Sequence, residues 1–237
     1  MEFDLHIHSK YSFDSISEPQ KILKIAMKKG LNGVAITDHD TIKGGIKASK
    51  TATKDFFVII GTEIGTESGD ILGLFLNEEI KSRSALEVID EIKEQGGIAV
   101  LPHPYKRTDK IKEEIIRKID AIEGFNARGE QPDSFFRNKM AKKLASSRGI
   151  PMTAGSDAHF YFEIGRGRCS IDAVSDIEDI RKAILRGKTK ITGEISPLYV
   201  EPMSQIIRMF KTRNLKLFFP IVHRIYLVSS FYLKTLL

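Results

Sequence analysis

Five of the six histidines in this 237-residue chain stand where a short apolar run ends. They are His6 and His8 in FDLHIHS, His39 in VAITDHD, His103 in IAVLPHP and His159 in TAGSDAH. Two carboxylates sit at equivalent places, Glu63 in VIIGTEIG and Asp157 in GSDAH, and Asp14 follows the first pair in KYSFDS. Imidazole nitrogen and carboxylate oxygen are the donors that hold Zn, Mn or Fe. A chain that spreads such donors over the ends of several strands is restricted to folds that bring those ends to one place.

The apolar runs predict strands at residues 3–8, 33–37, 57–64, 98–101, 121–125 and 152–154, with a late one near 190–192. Helices are expected between them at 18–29, 84–95, 111–119, 135–148 and 177–185, where apolar residues recur three or four apart. Within 135–148 the stripe is Phe136, Met140 and Leu144. Gly30, Gly96, Gly149 and Gly187 fall where helices close on a left-handed residue. The ESGD stretch at 67–70 reads as a hairpin turn joining 57–64 to 71–76. Repeated strand–helix units make a parallel sheet, open or closed. An open sheet holds its strand ends apart, whereas a barrel turns every C-terminal strand end toward one bowl. The expected fold is therefore α/β, a TIM-like β/α barrel with the donors at the C-terminal ends of its strands.

Charge separates the chain into two parts. Beyond residue 200 six cations, Arg208, Lys211, Arg213, Lys216, Arg224 and Lys234, face one carboxylate, Glu201, so most of the net charge of +6 lies there. Residues 1–200 are expected to form the barrel and 201–237 a basic, apolar extension. That extension is broken by Pro220, His223 and Arg224, so no transmembrane span is expected. Packing on the barrel or self-association is the favoured role for it, and lying on an anionic membrane surface is the other reading. The sequence leaves the oligomeric state open. The single cysteine, Cys169, excludes an internal disulfide and a thiolate metal cluster, and reads as a small apolar filler. The opening MEFDLHIH has no basic leader or long apolar stretch, and a cytoplasmic location is expected. His223 stands apart from the other histidines and is not expected to bind metal.

The ordered set HIH, TDHD, GTE, HP and GSDAH, running from about residue 3 to about 193, resembles the PHP (polymerase and histidinol phosphatase) family of metal-dependent phosphoesterases, small stand-alone type. The resemblance implies a distorted seven-stranded β/α barrel and two or three divalent ions, Mn, Zn or Fe. It places His6, His8, Glu63 and Asp157 on a first metal, Glu63 and His103 on a second, and Asp14, His39 and His159 on a third. Many members add a histidine to the second metal from the strand after HP. Here that stretch reads AIEGFNAR, so Glu123, Asn126 or water would take its place. Of the two aspartates beside His39, Asp38 and Asp40, one is expected to orient an imidazole and the other to cap the loop.

The implied reaction is hydrolysis of a phosphate monoester by metal-activated water, with no protein nucleophile. The expected substrate is a small phosphorylated metabolite, a nucleotide or nucleoside bisphosphate. The phosphate-binding candidates are Lys106, Arg107 and Arg128, with Lys10, Arg166 and Arg168 behind them. Three rival readings are an exonuclease acting on short nucleic acid, a histidinol-phosphate phosphatase, and a non-catalytic module whose metals only stabilise the fold.

Overall fold

The computed structural model describes residues 1–106, 110–132, 135–173 and 176–236. Nine strands form one sheet: β1 (Glu2–Ile7), β2 (Gly33–Ile36), β3 (Phe57–Thr66), β4 (Gly69–Leu74), β5 (Ile98–Leu101), β6 (Ala121–Asn126), β7 (Met152–Gly155), β8 (Gly167–Ile171) and β9 (Thr189–Gly193). Their order is β7-β6-β5-β4-β3-β2-β1-β8-β9. The runs β1–β3 and β5–β7 are each parallel, while β4 sits antiparallel between β3 and β5.

The two ends of this sheet come together. Beyond β7 the chain turns back along β1, with Asp157 N–H donating to the His6 carbonyl at 2.8 Å and His8 N–H donating to the Ala158 carbonyl at 2.9 Å. Ile7 and Ala158 form a parallel bridge, so β1 to β7 make a nearly closed ring. Gly155 permits this approach, since a Cβ there would lie 2.2 Å from His6 Cβ. The expectation of seven strands is corrected to nine. The hairpin at 67–70 inserts β4, and β8 and β9 extend the sheet antiparallel from the start of β1. β8 escaped notice because GRCSI is short and its Arg168 and Ser170 are only half-buried, which hides the apolar alternation.

The helices α1 (Pro19–Lys28), α3 (Ala85–Glu94), α4 (Glu113–Lys118), α5 (Arg137–Arg148) and α6 (Ile177–Leu185) follow the periodicity of the sequence, and Gly30, Gly96, Gly149 and Gly187 all have positive φ. α5 corrects one detail. Its buried residues are Ala141 and Ala145, whereas Phe136 and Met140 are exposed, so the larger side chains do not mark the inner face. The short α2 (Lys43–Ser49) was not foreseen, because its two glycines weaken the helical signal. Gly44 is required there, as its Cβ would fall 1.8 Å from Asp38 Oδ2.

After β9 come α7 (Val200–Thr212), a 3₁₀ turn (Leu215–Leu217) and α8 (Phe218–Leu236). They are fastened to the barrel by side chains. Lys211 Nζ donates to the carbonyls of Lys10, Ser12 and Ser15, and Arg224 donates to Gln131 Oε1 at 2.8 Å. No described helix is long and apolar enough to cross a membrane.

Candidate metal centre

Three steps along β1, from Asp4 to Ile7, match two along β2, from Val34 to Ile36. This bulge changes which residues face inward. Phe3 and Leu5 belong to the inner apolar cluster, and Ile7 packs with Val34, Ile36 and the α1 residues Ile22, Leu23 and Ala26. His6 and His8 consequently point into the barrel directly above an apolar floor. A second bulge on β6, between Glu123 and Phe125, sets Glu123 beside them.

The expected donors converge. His6 Nε2 and His8 Nε2 are 3.1 Å apart, and His8 Nε2 is 3.3 Å from both Glu63 Oε2 and Asp157 Oδ1. His103 Nε2 lies 2.7 Å from Glu63 Oε1. Asp14 Oδ2 lies 3.2 Å from His159 Nε2 and 3.4 Å from His39 Nε2. Three groups emerge with donor atoms close enough to share a cation: His6, His8 and Asp157; His6, Glu63 and His103; and His8, Asp14, His39 and His159. His6 and His8 thus each stand in two groups, a sharing that the sequence did not indicate.

The hydrogen bonds behind the rings decide which nitrogens face inward. His6 Nδ1 is 3.0 Å from Glu123 Oε1, a carboxylate acceptor, so Nδ1 carries the hydrogen and Nε2 presents its lone pair. His8 Nδ1 is 3.0 Å from Ser12 Oγ, which gives its own hydrogen to Asp38 Oδ1 and therefore accepts from the ring. His159 Nδ1 donates to the Asp157 carbonyl at 2.8 Å. The His6 and His8 lone pairs then meet at 3.1 Å, and the His159 lone pair meets a carboxylate. Asp14 Oδ1 is buried with no hydrogen-bond partner among the described residues. Facing acceptors repel unless a cation or proton lies between them, and the donor set suits Mn, Zn or Fe.

The electrostatics agree. Burial alone would raise the Glu63 carboxyl, but His39, His6 and His103 hold it well below the usual carboxylate range. Asp157 and Asp14 are likewise held low against burial, by Lys106 and His6 in one case and by His159 and His39 in the other. Burial disfavours a charged His8 ring, yet Asp157 and Glu63 raise it to about 9. Three buried carboxylates in one space cost several kcal/mol each unless cations balance them. In the absence of metal, protons on the His6 and His8 rings take part of that place, whereas burial holds the His159 ring below its usual range. His103 and Asp157 both adopt positive φ, at 26° and 53°, backbone strain of the kind that gathers at functional sites.

Glu123 and Asn126 are committed elsewhere. Glu123 Oε2 accepts from His103 N–H and from Asn126 Nδ2, both at 2.8 Å, and Asn126 Oδ1 accepts from Arg128 N–H. Both hold the donor residues in position. Asp38 orients His8 through Ser12, while Asp40 turns the loop at φ 58° and pairs with Arg83. Ser12 itself was missed, since a lone serine in a polar loop carries no signal of its own.

The phosphate-binding candidates diverge. Lys106 lies 3.0 Å from Asp157 Oδ2 at the pocket wall. Arg128 also lines the cavity, with Glu163 holding its Nε and Nη2 at 2.7 and 2.6 Å and Ser204 Oγ accepting from Nη1 at 3.1 Å. Arg107 lies outside the described residues. Lys10 pairs with Glu18, Arg166 and Arg168 line a separate cleft, and His223 is exposed on α8. The site opens into a cavity of about 380 Å³ whose walls also include Arg137, Arg208 and Arg224. Arg208 lies 4.6 Å over the Phe13 ring, which stacks on His39 at 4.4 Å.

Residues 136–189 match the PHP-associated family model. The chain belongs to the PHP family. A PHP chain of this kind has counterparts in Methanocaldococcus jannaschii. It is 47% identical over 161 residues to the uncharacterized protein MJ1587, covering 61% of this chain and 94% of that one. It is 35% identical over 175 residues to the uncharacterized protein MJ0417, covering 70% of this chain and 68% of that one. In fold it is similar to a two-domain protein containing a predicted PHP-like metal-dependent phosphoesterase from Bacteroides vulgatus, with TM-score 0.68 and 20% identity. That match covers 82% of this chain and 65% of the two-domain protein.

Proposed function

We propose that this chain is a metal-dependent phosphoesterase that hydrolyses phosphate monoesters, with a nucleotide or nucleoside bisphosphate as substrate. The observation that carries the reading is the convergence of His6 Nε2 and His8 Nε2, 3.1 Å apart, on the buried carboxylates of Glu63 and Asp157. His6, His8, Asp14, His39, Glu63, His103, Asp157 and His159 would hold two or three divalent ions. Bound there, such ions would supply hydroxide at neutral pH and neutralise the phosphoryl oxygens.

The chain's own contributions are orientation and charge. Glu123 fixes the His6 ring, and Asp38 acting through Ser12 fixes the His8 ring. Lys106 stands beside Asp157, where its ammonium can meet a phosphoryl oxygen. Arg137, Arg208 and Arg224 on the far wall offer donors to a second anionic group, which favours a bisphosphate. The cavity volume suits one small molecule rather than a strand of nucleic acid. The test is phosphate release from a panel of monoesters by purified protein supplied with Mn or Zn. The proposal expects release that depends on metal and is lost in Asp157→Asn. Release no greater than that variant's across the panel overturns it.

A further inference from the structure

α8 carries two apolar faces, and the barrel uses one. Ile221 and Val228 are buried, with Leu217, Arg224, Leu227 and Phe231 half-buried on the same side. Across the helix Phe218, Phe219, Val222, Ile225, Tyr226 and Leu233 are exposed, Phe219 by 79% and Tyr226 by 67%. At 100° per residue these six fall on one continuous arc, with Lys216 exposed in the turn before the helix and Lys234 exposed near its end. Leu215, 76% exposed, begins the stripe just before the helix. A contiguous apolar surface of this extent on a polar protein marks a contact site.

Charge chooses the occupant. Arg213, Lys216 and Lys234 are exposed, while Arg208 and Arg224 turn to the cavity and Lys211 to the barrel carbonyls. A second copy of the chain on this face would bring two such sets of exposed cations together. An anionic bilayer surface would attract them while taking up the aromatic and aliphatic side chains between. The helix cannot cross the bilayer, so it would lie in the interface.

We infer that α8 is an interfacial anchor that docks the protein on anionic membranes through its exposed Phe218–Leu233 stripe. Because Leu217, Ile221 and Arg224 on the opposite side of the same segment line the cavity, docking sets α8 between the cavity and the bilayer. The inference is independent of the proposed chemistry, and its test reads no activity.

The full chain is sedimented with vesicles of phosphatidylcholine alone and of equal parts phosphatidylcholine and phosphatidylglycerol. Partition onto the anionic vesicles is expected to be at least about tenfold higher, and to fall on raising salt from about 0.05 to about 0.5 M. Replacing Phe219, Tyr226 and Leu233 together by serine is expected to cut partition about tenfold or more, with the circular-dichroism melt unchanged. Lys216→Glu with Lys234→Glu gives a second test that leaves the apolar stripe intact, and is expected to remove the preference for anionic vesicles. Protein that stays in the supernatant with both vesicle types overturns the inference, as do variants that bind like the parent. A parent dimer that the serine variant resolves to monomers, neither binding vesicles, would assign the face to a second copy instead.

Discussion

At the barrel mouth eight donors reach one space from five strands, Glu63 from within β3 and the others from strand ends or the loops after them, and all but His39 are buried. The α7–α8 cover reaches the same space from above with arginines and leaves much of its apolar surface outside. The mouth is anionic, rigidly braced and built from the ends of the sheet. The cover is cationic and tied down by a few polar contacts, among them Lys211 on three carbonyls and Arg224 on Gln131. This difference suggests a division of work in which the mouth holds the ions and the cover selects what approaches them.

The sharpest way to break that division is at Glu63, which touches His6, His8, His39 and His103. Glu63→Gln should lower metal-dependent hydrolysis by about 10³-fold or more, equivalent to about 4 kcal/mol, as read from kcat/KM. A small loss would mean that the mouth does not hold the reacting ions.

Next in size is the effect of pH on metal affinity. With His8 titrating near 9 in the metal-free protein, a proton must leave before the ring can donate. Affinity should therefore rise as pH increases toward about 9 and level off above it. Between about pH 9 and 7 it should fall about a hundredfold for each proton displaced, as measured by titration calorimetry. An affinity flat over that range would contradict the ring assignments.

Glu123→Gln should weaken metal binding by about 10- to 100-fold without removing a ligand, because it orients the His6 ring and the His103 backbone. The smallest effect belongs to the cover. Arg208→Ala should raise KM about five- to tenfold and leave metal affinity unchanged. A change in metal affinity of similar size would merge the two regions into one machine.

The mouth was legible in the sequence because strand ends advertise themselves. An apolar run that stops at His states both a strand and the direction in which its end points, whereas β3 runs on past Glu63 to Thr66. The bracing was only half legible. Glu123 and Asp38 lie within the motifs, but the bulges that turn Leu5 and His6 inward in succession come from strand register, which local pattern does not encode. The pairing of Arg128 was illegible, because its partner, Glu163, stands 35 residues away in sequence. The cover was illegible as part of the site, since Arg208 and Arg224 meet the cavity only through tertiary packing. The eight strand segments visible as apolar runs were found, and β8 was lost to two polar residues on one face.

The central claim is that His6, His8, Glu63, Asp157 and their neighbours enclose divalent cations. Crystals grown with Mn, with anomalous maps collected above and below the Mn edge, test it most directly. The account predicts at least two peaks, each bounded by one of the three donor groups. Maps with no peak among His6, His8, His103 and His159, at saturating Mn, would contradict it.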